Sequence, residues 1–147
     1  MSQFKQDFEA LLNEKKLPSA YKEIENGHHL YRFQFRVTKE TALVVEVIIQ
    51  NTDKDYSDAQ VIYRHIHMLR DYNARGRALE VINELNEMKT GYYGLFLAGD
   101  GEIFLRSLLR IGTDPRPLYD TIVLGSAIAK GLQPQLVSEL GESAKRN

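Results

Sequence analysis

The stretch at 30–37, LYRFQFRV, sets Tyr31, Phe33, Phe35 and Val37 in alternation with Arg32, Gln34 and Arg36. A period of two gathers the apolar side chains on one side of an extended chain and the polar ones on the other. On a helix the same residues would scatter around the circumference. The stretch is therefore a half-buried strand with one polar face. After the polar link TKET comes ALVVEVIIQ at 42–50, dense in β-branched residues that pack well on a pleated surface. The two strands should form a hairpin, which commits the fold to antiparallel sheet.

The other segments add helices and further strands. Phe4, Phe8, Leu11 and Leu12 recur at helical spacing over 3–15, with Ser2 as a possible cap and Pro18 as the stop. Asn26-Gly27 marks a turn, and AQVIYRHIHML at 59–69 reads as a third strand. RALEVINELNEM at 77–88 reads as a helix, with Asn73 as its cap. YGLFLA and EIFLRSLLR flank GDGE, whose Asp-Gly is a strong hairpin signal. Thr113 or Asp114 should cap a helix that stops near Gly131. Pro134 should start a short helical tail, and the terminal GESAKRN should fray. The expected order is α-β-β-β-α-β-β-α: an α+β fold with helices packed on a mostly antiparallel five-stranded sheet, in one domain over 1–147.

Composition narrows the function classes. Hydrophobic residues at 43% and charged residues at 27% are the balance of a globular chain. A chain of 147 residues buries roughly 68–70% of its unfolded surface, enough for a substantial core. A net charge of −1 gives no general pull toward nucleic acid or an anionic membrane, so neither is expected as a partner. The absence of cysteine excludes disulfides, thiolate zinc sites and cysteine nucleophiles. The N-terminal MSQFKQDFEALL lacks a signal-peptide core, and no apolar run has membrane-spanning length, so a cytoplasmic location is expected.

Two features stand out against this background. In the helix at 77–88, Ala78, Leu79, Val81, Ile82, Leu85 and Met88 form one apolar arc. Asn86 falls inside that arc and Asn83 at its edge. A buried amide without partners costs on the order of 1–3 kcal/mol, so Asn86 is expected to be buried and bonded to backbone groups of an adjoining strand or loop. The second feature is apolarity on both faces of the sheet. Leu43, Val45, Val47 and Ile49 make one face of their strand, yet Val44 and Ile48 lie on the other. Leu95, Leu97, Ile103, Leu105 and Leu109 are likewise opposed by Phe96, Phe104 and Leu108. A sheet with one solvated face alternates more cleanly, so the second face needs a cover: a helix, a second copy or a partner protein. Phe96, Phe104 and Leu108, or Val44 and Ile48, are the candidate centre of a homodimer interface.

No motif points to catalysis. His65 and His67 share one face of their strand at a spacing that can bind metal, but no third ligand accompanies them. His28 and His29 follow the first turn. Asp53, Asp55 and Asp58 resemble part of a calcium loop that lacks its glycine and its closing glutamate. The glycines of GYYGLFLAGDG have no P-loop lysine, and no serine sits in a nucleophile elbow. Arg32, Arg36 and Arg64 make at most a small basic patch without an RNA-binding signature. No enzyme activity, cofactor or metal is expected.

ALEVINELN, the glycine-containing loop after it, the short strand, DGE and the leucine-rich strand that follows together resemble the YbjN-like family, the bacterial sensory transduction regulators. The family helix carries a tryptophan near the asparagines. This chain has none, and Leu85 can fill that space. The resemblance implies a fold like that of type III secretion chaperones, which are small, usually dimeric, protein-binding and without enzyme activity. The expected function is thus a non-enzymatic protein-binding or regulatory module, chaperone-like, that self-associates and holds a segment of another protein. The competing reading is a small-ligand sensor or enzyme, with a pocket between helix and sheet where Asn83, Asn86 and the histidines converge.

Overall fold

The computed structural model describes residues 2–37 and 41–144. Residue 1, the side chain of Ser2, residues 38–40 of the TKET link and residues 145–147 lie outside the described residues, and with them the expected Ser2 cap and the end of the fraying tail. The elements are α1 (Ser2–Glu14), β1 (Ala20–Glu23), β2 (His29–Arg36), β3 (Ala42–Ile49), β4 (Ser57–Met68), α2 (Arg75–Met88), β5 (Gly94–Leu97), β6 (Glu102–Ile111) and α3 (Arg116–Leu140). The strands form one open sheet in the order β1-β2-β3-β4-β6-β5, antiparallel at every pairing.

Six strands replace the expected five, because β1 has no apolar period to betray it. All four of its residues are exposed. It exists because β2 offers an open edge and Tyr21 opposite Tyr31 gives it a packing partner, with ring centroids 5.0 Å apart. The Tyr21 hydroxyl also shares a 2.7 Å hydrogen bond with His29 Nδ1.

The three helices lie on the same face of the sheet. Phe4, Phe8 and Leu12 of α1, Ala78, Val81, Ile82 and Leu85 of α2, and Leu118, Ile122, Ala129, Leu132 and Leu136 of α3 join Tyr31 and Phe33 of β2 and the odd-numbered residues of β3 in one cluster. The arc of α2 is narrower than expected: Leu79 is 52% exposed and Met88 79%. This helix docks over the edge strand β5, so the sheet beneath it ends before the arc does. Deep under α3, Gly125 meets Tyr63 and Tyr93, whose hydroxyls donate to the carbonyls of Ile122 and Thr121.

Four further expectations are corrected. The last helix does not stop near Gly131 but runs unbroken through Pro134 to Leu140. Pro134 is exposed, on the side of the helix away from the sheet. Buried Leu132 and Leu136, and a 3.2 Å bond from Gln133 Nε2 to the Ile66 carbonyl, hold the helix on the sheet. Asn73 does not cap α2. It sits in a short 3-10 turn whose Asp71 carboxylate accepts from the Asn73 N–H at 2.9 Å, and α2 begins without a side-chain cap. The described part of the tail is docked: Ser143 Oγ accepts from the Met68 N–H and the Ala144 N–H donates to the Met68 carbonyl, both at 2.9 Å. Neither Thr113 nor Asp114 caps α3: Pro115 holds the cap position without a side-chain bond, and Asp114, one residue earlier, accepts from the Arg116 N–H at 3.0 Å.

Candidate functional site

With every helix on one side, the other side of a six-stranded sheet is bare among the described residues. Strand pairing dictates what it presents. Leu30, Ile48, Gln60 and Leu108 form one row across β2, β3, β4 and β6. Arg32, Glu46, Ile62 and Arg106 form the next. Phe104 and Phe96 pair beyond them, with stacked rings 5.6 Å between centroids. Leu108 is 66% exposed and Phe96 39%, while Phe104, Val44 and Ile48 are half-buried. These five are the expected interface residues, and the pairing puts all of them on this face. Ile62, which the sequence reading missed, lies near its centre. It is buried to 8% exposure yet stands outside the main core. Its signal was its even position in β4, two residues before Arg64.

The charged groups of the face are cross-linked. Arg32 and Glu46 meet at 2.6 Å, Arg64 and Glu102 at 2.8 Å, and Arg110 and Asp58 at 2.9 Å. The Arg110 guanidinium holds the Asp58 carboxyl below the usual carboxylate range. Arg64 also lies over the Phe104 ring, and Arg106 over Phe96 at 4.7 Å. Glu102 is buried, and its second oxygen accepts the backbone N–H of His65 at 2.9 Å. That bond holds a bulge between Tyr63 and His67 where His65 takes a φ of 51°, a left-handed conformation costly for any residue but glycine.

The bulge removes the shared face expected for His65 and His67. His65 Nδ1 stands 3.4 Å from Glu102. His67 is turned into the core opposite Ile103, 1% exposed, where desolvation lowers its pKa and its Nε2 has no hydrogen-bond partner among the described residues. His67 is therefore a core residue, turned away from the face that His65 occupies. His28 is elsewhere, its Nδ1 accepting from the Asn51 N–H at 2.8 Å. Among the described residues, no cluster of His, Asp and Glu could hold a metal ion, and no helix is long and apolar enough to cross a membrane.

The two asparagines separate as well. Asn83 is exposed. Asn86 is exposed, not buried as its place in the apolar arc implied, but its amide does bond to backbone: Nδ2 donates to the Leu95 carbonyl at 3.1 Å and Oδ1 accepts the Leu95 N–H at 2.7 Å. Leu95 lies on the outermost strand, so Asn86 occupies the donor and acceptor that another strand would seek. Asn86→Ala is expected to cost about 1 kcal/mol, since water replaces part of what is lost. Exchange of the Leu95 amide should speed up selectively. Unchanged exchange there would show that the amide contributes nothing to the edge.

A cleft of about 520 Å³ opens on the same bare face, between Ile48, Gln60, Leu108 and the Asp58–Arg110 pair, with His28 at its rim. It is not between helix and sheet, and neither asparagine lines it. At this cleft, then, Asn83 and Asn86 do not meet the histidines. Compared with known proteins, the chain matches no family model. It also matches no curated protein.

Proposed function

We infer that this chain is a non-enzymatic protein-binding module that holds a segment of another protein on the helix-free face of its sheet. One observation carries the inference: apolar side chains recur across that face on β2, β3, β4, β5 and β6, and none of the helices covers them. A chaperone-like role within the YbjN-like family belongs to the same proposal. Its support is the element order, which after β1 runs β-β-β-α-β-β-α. A second copy of the chain is the competing occupant of the face.

Leu108→Asp tests the module. Leu108 is largely exposed, so the variant should melt close to the wild type, while a carboxylate at the centre of an apolar contact loses most of the binding. Affinity capture with both forms should retain proteins on the wild type that are lost from the variant. Identical captures would refute the proposal. Sedimentation at micromolar concentration identifies self-association, which Leu108→Asp would then abolish.

A further inference from the structure

The helix-free face is basic although the chain is not. By strand alternation it carries Lys22, Arg32, Arg36, Arg64, Arg106 and Arg110 against Glu46, Asp58 and Glu102. That is an excess of three positive charges on a chain whose total is −1, so the rest of the molecule carries four negative charges. The three carboxylates are already engaged with Arg32, Arg64 and Arg110.

Arg106 is different. Its guanidinium donates no hydrogen bond to any described residue, and its Nε is buried without an acceptor. Its strand neighbours are Ile62 and Gly94, and its guanidinium is stacked on Phe96. A cation thus stands among Ile62, Phe96, Phe104 and Leu108 with hydrogen-bonding capacity unspent. Covering it with a purely apolar partner would strip its water without return, which is unfavourable for a charged group. A partner that brings a carboxylate would complete it, and the planar guanidinium suits a carboxylate well.

We propose that the face receives an acidic amphipathic segment of another protein, with its apolar side chains on Ile48, Phe104 and Leu108 and a carboxylate on Arg106. The proposal rests on the protein-binding function inferred above and names the chemistry of the partner. A second copy fits less well. Face-to-face pairing would oppose two surfaces of the same positive excess, and neither brings a free carboxylate. Nucleic acid also fits less well, because Arg32, Arg64 and Arg110 are neutralised in place and the centre is apolar rather than a continuous basic track.

The test is fluorescence anisotropy with a short synthetic peptide bearing leucines at helical spacing and glutamates elsewhere. The same peptide with lysine for glutamate and a short oligothymidylate serve as comparisons. The glutamate peptide should bind at least about tenfold more tightly than either, and more weakly as salt rises from about 0.05 to about 0.5 M. Arg106→Gln should weaken it about tenfold at unchanged melting temperature, and Arg106→Lys should keep most of the affinity. Equal binding of the two peptides, indifference to Arg106→Gln, no binding of the glutamate peptide, or tighter binding of the oligothymidylate would each overturn the proposal. Capture of proteins that depends on Leu108 but not on Arg106 removes the acidic partner and leaves the protein-binding function standing. Capture that depends on neither removes both.

Discussion

Gly125→Ala is expected to lower the unfolding free energy by about 2 kcal/mol, and the melting temperature by about 6 °C for a chain of this size. On propensity alone the change should help, because alanine in a helix interior is favoured over glycine by about 1 kcal/mol. The opposing effects are larger. A Cβ at Gly125 would overlap the Tyr63 ring and the Tyr93 hydroxyl. Both tyrosines are buried, so neither ring can swing aside into solvent. Overpacking of this kind costs about 1–3 kcal/mol. Displacing the hydroxyls from the Ile122 and Thr121 carbonyls adds about 1 kcal/mol for each bond lost. Gly131 lies in the same helix with open space where its Cβ would be, and Gly131→Ala should stabilise by up to about 1 kcal/mol. Urea unfolding of both variants measures the contrast. Equal effects of like sign would show that α3 does not seat on the sheet through Gly125.

Glu102→Ala is expected to cost about 2 kcal/mol and to loosen the β4–β6 junction. The carboxylate is buried, bonds the Arg64 guanidinium and the His65 N–H, and holds His65 in its left-handed turn. Removing it leaves a backbone donor and part of a cation unpaired, losses of about 1–3 kcal/mol each in a dry setting. Arg64 is one-third exposed and keeps Glu46 at 3.8 Å, which moderates the loss. Glu102→Gln, which keeps an acceptor but not the charge, should cost about half as much. Chemical denaturation gives the magnitudes, and amide exchange at His65 and His67 locates the change. A variant as stable as the wild type with unchanged exchange would mean that the strand pairing alone maintains the bulge. Because Arg64 also lies over Phe104, Glu102→Ala should disturb the binding face as well as the fold.

The features legible in the sequence are those written in neighbouring residues. Alternation in LYRFQFRV gave β2 with its inward Tyr31 and Phe33 and its outward Arg32 and Gln34. The β-branched run gave β3, and Asp-Gly gave the β5–β6 hairpin. Apolar residues on both sides of β3, β5 and β6 already implied a sheet face in need of a cover, and the structure places Val44, Ile48, Phe96, Phe104 and Leu108 on one such face. Period and turn chemistry are local, so a single chain carries them openly. What depended on distant partners was not legible. β1 forms against an edge that β2 supplies. α3 continues past Pro134 because buried Leu132 and Leu136 hold it down. Asn86 is placed by the edge of β5 rather than by burial, and a single bulge at His65 sends His67 into the core. The basic character of the bare face is the clearest case. Lys22, Arg32, Arg64, Arg106 and Arg110 are spread along the chain, in a sequence of nearly neutral charge, and only the register of five paired strands sets them side by side. Charge that sums to almost nothing along the sequence is separated in space because strand pairing, not sequence distance, decides which side chains share a face.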